Sequence, residues 1–243
     1  MRGSDLGILK QKLAAARAVT VLTGAGISAD SGVPTFRGSD GLWRNFRAED
    51  LATAEAFARD PRLVWEWYDW RREILATKNP NAAHLALVEL EHRIPNFCLI
   101  TQNVDGLHRM AGSQNICEMH GNIWMVRCTD CGTVGENRHV PIGFPPTCGR
   151  CQALLRPHIV WFGETLSSDD LSRCAEALQT CEVLLVIGTS GIVYPAAGFV
   201  SVAKAAGAFV AEINLDETAQ STVVDCCLQG RARDLVPLLL EPP

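Results

Sequence analysis

The sequence predicts an α/β fold, a parallel sheet whose pattern is interrupted by a small cysteine-stapled module. Three observations predict it. Short apolar strands recur at 19–22, 97–101, 183–187 and 209–213, amphipathic stretches of helical period such as 82–93 and 194–206 separate them, and two Cys-x2-Cys pairs stand between the second and third strands. Strands that alternate with helices pair in parallel, because each crossover returns the chain to the same end of the sheet. A chain of 243 residues, 47% apolar and 20% charged, suffices for one large domain with a small insert.

The first helical pattern, Leu6 to Ala16, leads directly into the strand Val19 to Leu22 and leaves no room for a cleaved presequence. That strand ends in Gly24-Ala-Gly-Ile-Ser-Ala-Asp-Ser-Gly-Val-Pro-Thr-Phe-Arg37. Gly24-x-Gly26-x-x-Ala29 satisfies the G-x-G-x-x-G/A fingerprint of a Rossmann-like parallel sheet, whose glycines permit a tight turn and let backbone N–H groups reach a pyrophosphate. Taken alone, these six residues fit a glycine-rich turn with no ligand at least as well. A hydride-transfer unit would run on into a long helix, whereas Gly32 and Pro34 stop any helix within about two turns. The loop must then fold over its ligand. Arg37 offers a planar cation to a phosphate or carboxylate, and Asp30, Ser28 and Ser31 can bond ribose or amide groups.

Every strand ends in a polar or glycine-rich tip: Thr23 to Gly26, Gln102-Asn103-Val104-Asp105, Gly188-Thr189-Ser190 and Asn214-Leu215-Asp216. Ligands of open α/β sheets bind beyond the carboxyl ends of the strands, so four such tips point to one site. The last unit reads as an ordinary Rossmann half. Gly188 to Ser190 opens its helix, and Asp216 stands where an acid holds a ribose hydroxyl.

Of ten cysteines, four have metal spacing: Cys128-x2-Cys131, sixteen intervening residues, then Cys148-x2-Cys151. This is zinc-ribbon spacing, and four thiolates leave no open coordination position, which implies one structural Zn2+. A redox Cys-x-x-Cys is the alternative. The other six cysteines sit in or beside apolar stretches, as free thiols of a reducing compartment do. His120, in Glu118-Met-His-Gly121, can take a proton from a ribose hydroxyl at physiological pH. His84, His92, His139 and His158 read as surface or satisfied structure. A net charge of −5 argues against nucleic acid or an anionic membrane as the main partner. No apolar run approaches the roughly 18 residues that span a bilayer. The expectation is a cytoplasmic monomer.

Gly24 to Arg37, Thr101 to His108, His120-Gly121, the four cysteines, Pro157 to Glu164, Gly188 to Ser190 and Glu212 to Asn214 occur in the order seen in sirtuins, which the chain resembles over almost its whole length. The resemblance implies an NAD-dependent protein-lysine deacylase, with a Rossmann-like domain over 1–120 and 155–243 and a zinc module over 121–154. NAD would be consumed, releasing nicotinamide and O-acyl-ADP-ribose. Gln102, Asn103 and Asp105 would hold the nicotinamide ribose, with His120 as base. Gly24, Ala25, Gly26, Ser28, Asp30, Phe36, Arg37 and Trp43 would surround the cofactor together with Val104, Gly188, Thr189, Ser190, Asn214, Leu215, Asp216 and the backbone near Ala232. Val160, Trp161, Phe162, Gly163 and Glu164, with Gly191, Val193 and Tyr194 opposite, would sandwich an acyl-lysine peptide as an added strand.

Tyr68 and Arg71 lie i and i+3 on a helix starting after Pro61, on one face. Together they can clamp a carboxylate, each hydrogen bond to a charged group being worth roughly 1.5 to 3 kcal/mol. Without context Arg71 reads as a solvated helix charge. The pair resembles the Tyr-x-x-Arg of the sirtuin branch that removes succinyl, malonyl and glutaryl groups, and Ala52 resembles the small residue that widens that branch's acyl pocket. General deacetylation, ADP-ribose transfer to protein, and an adaptor with NAD as regulatory ligand are the alternatives.

Overall fold

The structure is a computed structural model and describes residues 3–34 and 47–242. Helix α1 (Gly3–Ala15) packs Leu9 and Leu13 against the sheet and delivers the chain into β1 (Ala18–Thr23). A single turn, α2 (Gly26–Ala29), follows, and the chain leaves it through Gly32 at φ +75°. The helix stops where the glycine and proline predict.

Beyond the undescribed stretch come α3 (Ala48–Leu51), α4 (Ala54–Arg59) and α5 (Pro61–Ala76). Thr53 caps α4 by accepting from the Ala56 N–H at 3.1 Å, and Asp60 caps α5 by accepting from Leu63 at 3.0 Å. Pro61 opens α5, where its missing N–H costs nothing. Helix α6 (Ala82–Arg93) starts from a capping box in which Asn81 and His84 each accept from the other's end of the turn. Then follow β2 (Asn96–Thr101), α7 (Leu107–Ala111) and β3 (Ile116–Glu118). The small module contributes β4 (Gly121–Cys128), β5 (Val134–Glu136) and β6 (Leu155–Ile159), and the chain closes with α8 (Ser168–Thr180), β7 (Val183–Ile187), α9 (Phe199–Ala205), β8 (Phe209–Asn214), β9 (Cys226–Gln229) and α10 (Ala232–Leu235).

Six strands form one parallel sheet in the order β3-β2-β1-β7-β8-β9. The chain builds outward from β1 on one side and from β7 on the other. Its winding therefore reverses between β1 and β7, the switch point beside which open α/β sheets bind ligands. Helices cover both faces, so β7 is apolar throughout. Val183, Leu185 and Ile187 enter the core beneath α1 and α6, while Leu184 and Val186 enter the core beneath α8 and α9.

A separate antiparallel sheet, β5-β4-β6, packs Ile123, Trp124 and Val126 against Trp65, Trp67 and Tyr68 of α5. Gly121 is obligatory at its root. It sits at φ +81°, and a Cβ there would lie 2.2 Å from the His158 carbonyl oxygen.

Two features differ from the sequence reading. The edge strands β3 and β9, three and four residues long, are too short to show a period. The helix expected over 194–206 begins late, as a 3-10 turn at Ala196–Gly198 followed by α9. Gly191 at φ +67° and Pro195, without an N–H, hold the preceding segment out of the helix. Among the described residues, no helix is long and apolar enough to cross a membrane.

Candidate active site

The two glycine loops at the switch point interlock backbone against backbone. Gly26 N–H donates to the Gly188 carbonyl at 2.8 Å, and a Cβ on Gly24 or Gly26 would come within 2.8 Å of the Gly188 carbonyl oxygen. Gly188, at φ +60°, would place a Cβ 2.5 Å from the Ile27 nitrogen. These glycines are demanded first by each other.

Beneath them lies a buried polar chain that starts in α6. The Asn81 N–H can only donate, so its 3.3 Å bond makes His84 Nδ1 the bare nitrogen and leaves the proton on Nε2. That Nε2 stands 3.4 Å from Ser28 Oγ, and the Ser28 hydroxyl donates in turn to Asp105 Oδ2 at 2.8 Å. Asn103 Nδ2 donates to both Ser28 Oγ, at 3.3 Å, and the Gly24 carbonyl, at 3.0 Å. Asp105 also accepts from the Leu107 N–H at 2.8 Å. Burial raises the Asp105 carboxyl above its usual range, against the lowering effect of those two hydrogen bonds. His108, 4.8 Å from His84 between ring centroids, bonds Thr23 through Nε2. Burial lowers the pKa of both imidazoles, His84 to about 4 and His108 well below the ordinary value, with His84 adding a repulsive contribution to the latter. His84, which reads from the sequence as surface or satisfied structure, is the latter, buried with both ring nitrogens bonded. The signal was its place in the buried stripe of α6, three residues before Leu87.

His120 follows β3. Its Nδ1 lies 3.0 Å from the Gln102 carbonyl oxygen, which can only accept, so in the neutral ring Nε2 is the bare nitrogen. Burial lowers the His120 pKa, and the Gln102 carbonyl opposes the shift. A neutral imidazole with Nε2 open is the form a general base requires. Gln102 reaches across the switch point, Nε2 donating to Thr189 Oγ1 at 3.0 Å, and Asn214 Nδ2 donates to the Thr189 carbonyl at 2.7 Å. Val104 is buried, its carbonyl accepting from Ile123. Ala25 and Ser190 are half-buried, Leu215 and Asp216 exposed, and Ala232 buried at the start of α10. Asp30 has its carboxylate on Arg231 at 2.7 Å, which ties the end of α2 to α10. Phe36, Arg37 and Trp43 lie outside the described residues.

Phe162 N–H donates to the Ala52 carbonyl at 2.9 Å and Val160 N–H to the His120 carbonyl at 3.0 Å, so residues 160–162 run between the end of α3 and His120. Ala52, Tyr68 and Trp161 share one buried cluster. Tyr68 Oη accepts from the Trp161 indole at 2.9 Å, and burial pushes the phenol up to about 12 against the pull of Arg71. Arg71 stacks over the Trp67 ring, 5.0 Å from its centroid, and feels both Tyr68 and Asp105. Asp69 faces away, accepting from Ile142 of the small module at 3.0 Å. Glu164 pairs with Arg156, and Gly163 turns the chain between them at φ +85°. Phe162, Val193 and Tyr194 are exposed around Gly191 and Gly163.

The sulfurs of Cys128, Cys131, Cys148 and Cys151 all lie within 4.8 Å of one another, with Cys128 to Cys151 at 3.4 Å and Cys131 to Cys148 at 3.8 Å. Tetrahedral Zn–S bonds of about 2.3 Å place sulfurs about 3.8 Å apart. The donor set fits a structural zinc.

The Sir2 family profile matches residues 24–195. The chain is 53% identical over 215 residues, 88% of its length and 90% of the relative's, to the NAD-dependent protein deacylase of Aquifex aeolicus (strain VF5). It is 45% identical to the mitochondrial NAD-dependent protein deacylase sirtuin-5 of Xenopus tropicalis, covering 96% of this chain and 84% of the relative. The crystal structure of a Sir2 homologue in complex with NAD superposes with a TM-score of 0.90 at 45% identity, covering 96% of this chain and 91% of the other. A Sir2 complex with a p53 peptide and NAD+ superposes at 0.82, with 30% identity and 93% of each chain covered. With its glycine loops interlocked at the switch point of a six-stranded parallel sheet and four cysteines gathered in a separate small module, the chain belongs to the Sir2 family.

Proposed function

We propose that this sirtuin, an NAD-dependent protein-lysine deacylase, prefers acidic acyl groups: succinyl, malonyl and glutaryl. The observation that carries the preference is the Tyr68 and Arg71 pair on one face of α5, a neutral phenol whose oxygen already accepts from Trp161 beside a guanidinium close enough to act on it. The phenol proton and the guanidinium N–H groups are then the donors for a distal carboxylate, above the small Ala52. A charged hydrogen bond is worth about 1.5 to 3 kcal/mol, enough for a preference of ten-fold or more from one donor alone.

NAD supplies an electrophilic ribose carbon and is consumed. Gln102, Asn103 and Asp105 hold the ribose and nicotinamide end, and the glycine loops with Thr189, Ser190 and Asn214 hold the rest. His120 Nε2 takes the proton of the ribose hydroxyl, its Nδ1–H anchored on Gln102. Residues 160–164 and 191–194 receive an extended peptide between them. In this reading residues 1–120 and 155–243 carry the cofactor and 121–154 the zinc, with β6 paired to β4 as the strand that joins them.

The test is nicotinamide release and product mass from one peptide bearing succinyl-lysine or acetyl-lysine, for the native chain and Arg71→Met. Desuccinylation that collapses in Arg71→Met while deacetylation persists supports the preference. Deacetylation equal to desuccinylation and indifferent to Arg71 would replace it with general deacetylase activity.

A further inference from the structure

We infer that Trp161 is a positioning residue for acyl selectivity: its indole N–H fixes the Tyr68 hydroxyl so that the phenol proton is presented to the distal carboxylate of the acyl chain. The inference rests on the acidic-acyl reading and deepens it.

A phenol has one proton to donate and lone pairs to accept with, whereas an indole nitrogen only donates. The 2.9 Å contact from Trp161 Nε1 to Tyr68 Oη therefore has one direction, and it leaves the Tyr68 proton for another partner. Both rings are buried, so the arrangement is not averaged by solvent. Tyr68 is held edge-on by Trp67, with centroids 4.6 Å apart, and by Trp65 at 6.4 Å. Trp161 is held from three sides. Phe57 packs 5.2 Å from its ring, the Arg156 guanidinium stacks 3.4 Å from the ring centroid, and the Trp161 backbone N–H donates to Glu164 Oε2 at 2.9 Å. Arg156 is itself fixed by two bonds to the Glu164 carboxylate, at 2.6 and 2.9 Å, and one to the Ile159 carbonyl at 3.0 Å. A rigid chain thus runs from Glu164 through Arg156 and Trp161 to the hydroxyl of Tyr68. The Trp161 side chain is turned inward toward Tyr68, while its neighbour Phe162 is 54% exposed. Its effect on the acyl group passes through the phenol, because a hydroxyl released from the indole is free to satisfy itself elsewhere.

The experiment measures kcat and KM for succinyl-lysine and acetyl-lysine peptides with the full zinc-loaded chain, comparing native protein, Trp161→Phe, Tyr68→Phe, the double variant and Arg71→Met. Phenylalanine keeps a ring for Phe57 and Arg156 and removes only the N–H donor and part of the surface. The expected result is a roughly ten-fold fall in the ratio of succinyl to acetyl kcat/KM in Trp161→Phe, carried mainly by the KM of the succinyl peptide. In the Tyr68→Phe background the same substitution should leave the ratio unchanged, the signature of two residues acting as one. An unchanged ratio in Trp161→Phe, or an equal fall with and without the Tyr68 hydroxyl, overturns the inference. Should the Phe variant not fold, β-(3-benzothienyl)alanine at 161 preserves the indole shape without the N–H and is read by the same criteria. The Arg71→Met arm separates the two levels. If it lowers the ratio and the Trp161 variants do not, only this inference falls; if it leaves the ratio untouched, the acidic-acyl reading falls and takes the inference with it.

Discussion

His120 and His84 show how far a single histidine can be read from its letter. Gln102's carbonyl fixes the His120 proton on Nδ1, and burial disfavours the charged ring, so the imidazole stays neutral to below the ordinary histidine range. The acid limb of kcat/KM for deacylation is expected to have its midpoint below pH 6.5, and His120→Ala to lower kcat by a factor of about 10^2 to 10^4 and remove that limb. A limb centred above 6.5 would show that another group titrates. His84 is buried neutral with its pKa lowered to about 4, so the unfolded chain takes up a proton that the folded one refuses. Stability is therefore full above about pH 6.5 and is lost as the pH falls toward about 4. Between pH 7 and pH 5 the native chain should lose about 2 kcal/mol more than His84→Gln, measured by urea unfolding at each pH. His120 was legible because its neighbours spell a motif. The place of His84 in the buried chain was not, because Ser28 is 56 residues from it and Asp105, which accepts from Ser28, is 77 residues from Ser28, so only the fold brings the three within reach.

At the scale of elements, the Gly24 and Gly188 loops behave as one piece. Sequence logic assigns those glycines to a ligand, yet the Cβ of Gly188→Ala would meet the Ile27 nitrogen at 2.5 Å and would also sit at φ +60°. Gly188→Ala is expected to lower stability by about 2 kcal/mol or more and weaken NAD binding together, read by thermal unfolding and by titration calorimetry. Retained melting temperature with weakened binding would return those glycines to a role toward the ligand alone. Helix α5 was the reverse case. Pro61, the Asp60 cap and the i, i+3 spacing of Tyr68 and Arg71 are local, and the helix forms as the pattern predicts. What the pattern could not supply was Trp161, 93 residues on, at the Tyr68 oxygen.

For the whole molecule, the cysteine-bearing module is coupled to helix α5 through a shared core. Trp124, Val126 and Ile159 of the small sheet pack in the same cluster as Tyr68, Ala52 and Trp161. Removing the metal should therefore do more than loosen a distant appendage. Chelation is expected to lower the melting temperature and abolish deacylation, with activity restored by added Zn2+, because between the two cysteine pairs Gly132, Gly135, Pro141, Gly143, Pro145 and Pro146 leave too little apolar material for a core of that stretch's own. Full activity at zero zinc, verified by atomic absorption, would contradict that coupling.

The sequence by itself determined the parallel α/β class, the four central strands, the metal-binding cysteines and the motifs that place His120, Asn103 and Asp105 at strand tips. All of these rest on signals written along the chain: period, capping, spacing, turn chemistry and the order in which strands and helices alternate. Only the tertiary structure decided the strand order with its switch between β1 and β7, the mutual demand of the two glycine loops, the chain from His84 to Asp105 and the brace on Tyr68. Those depend on pairs far apart in the chain, whose hydrogen-bond donors and acceptors acquire partners only when burial has removed water as the alternative.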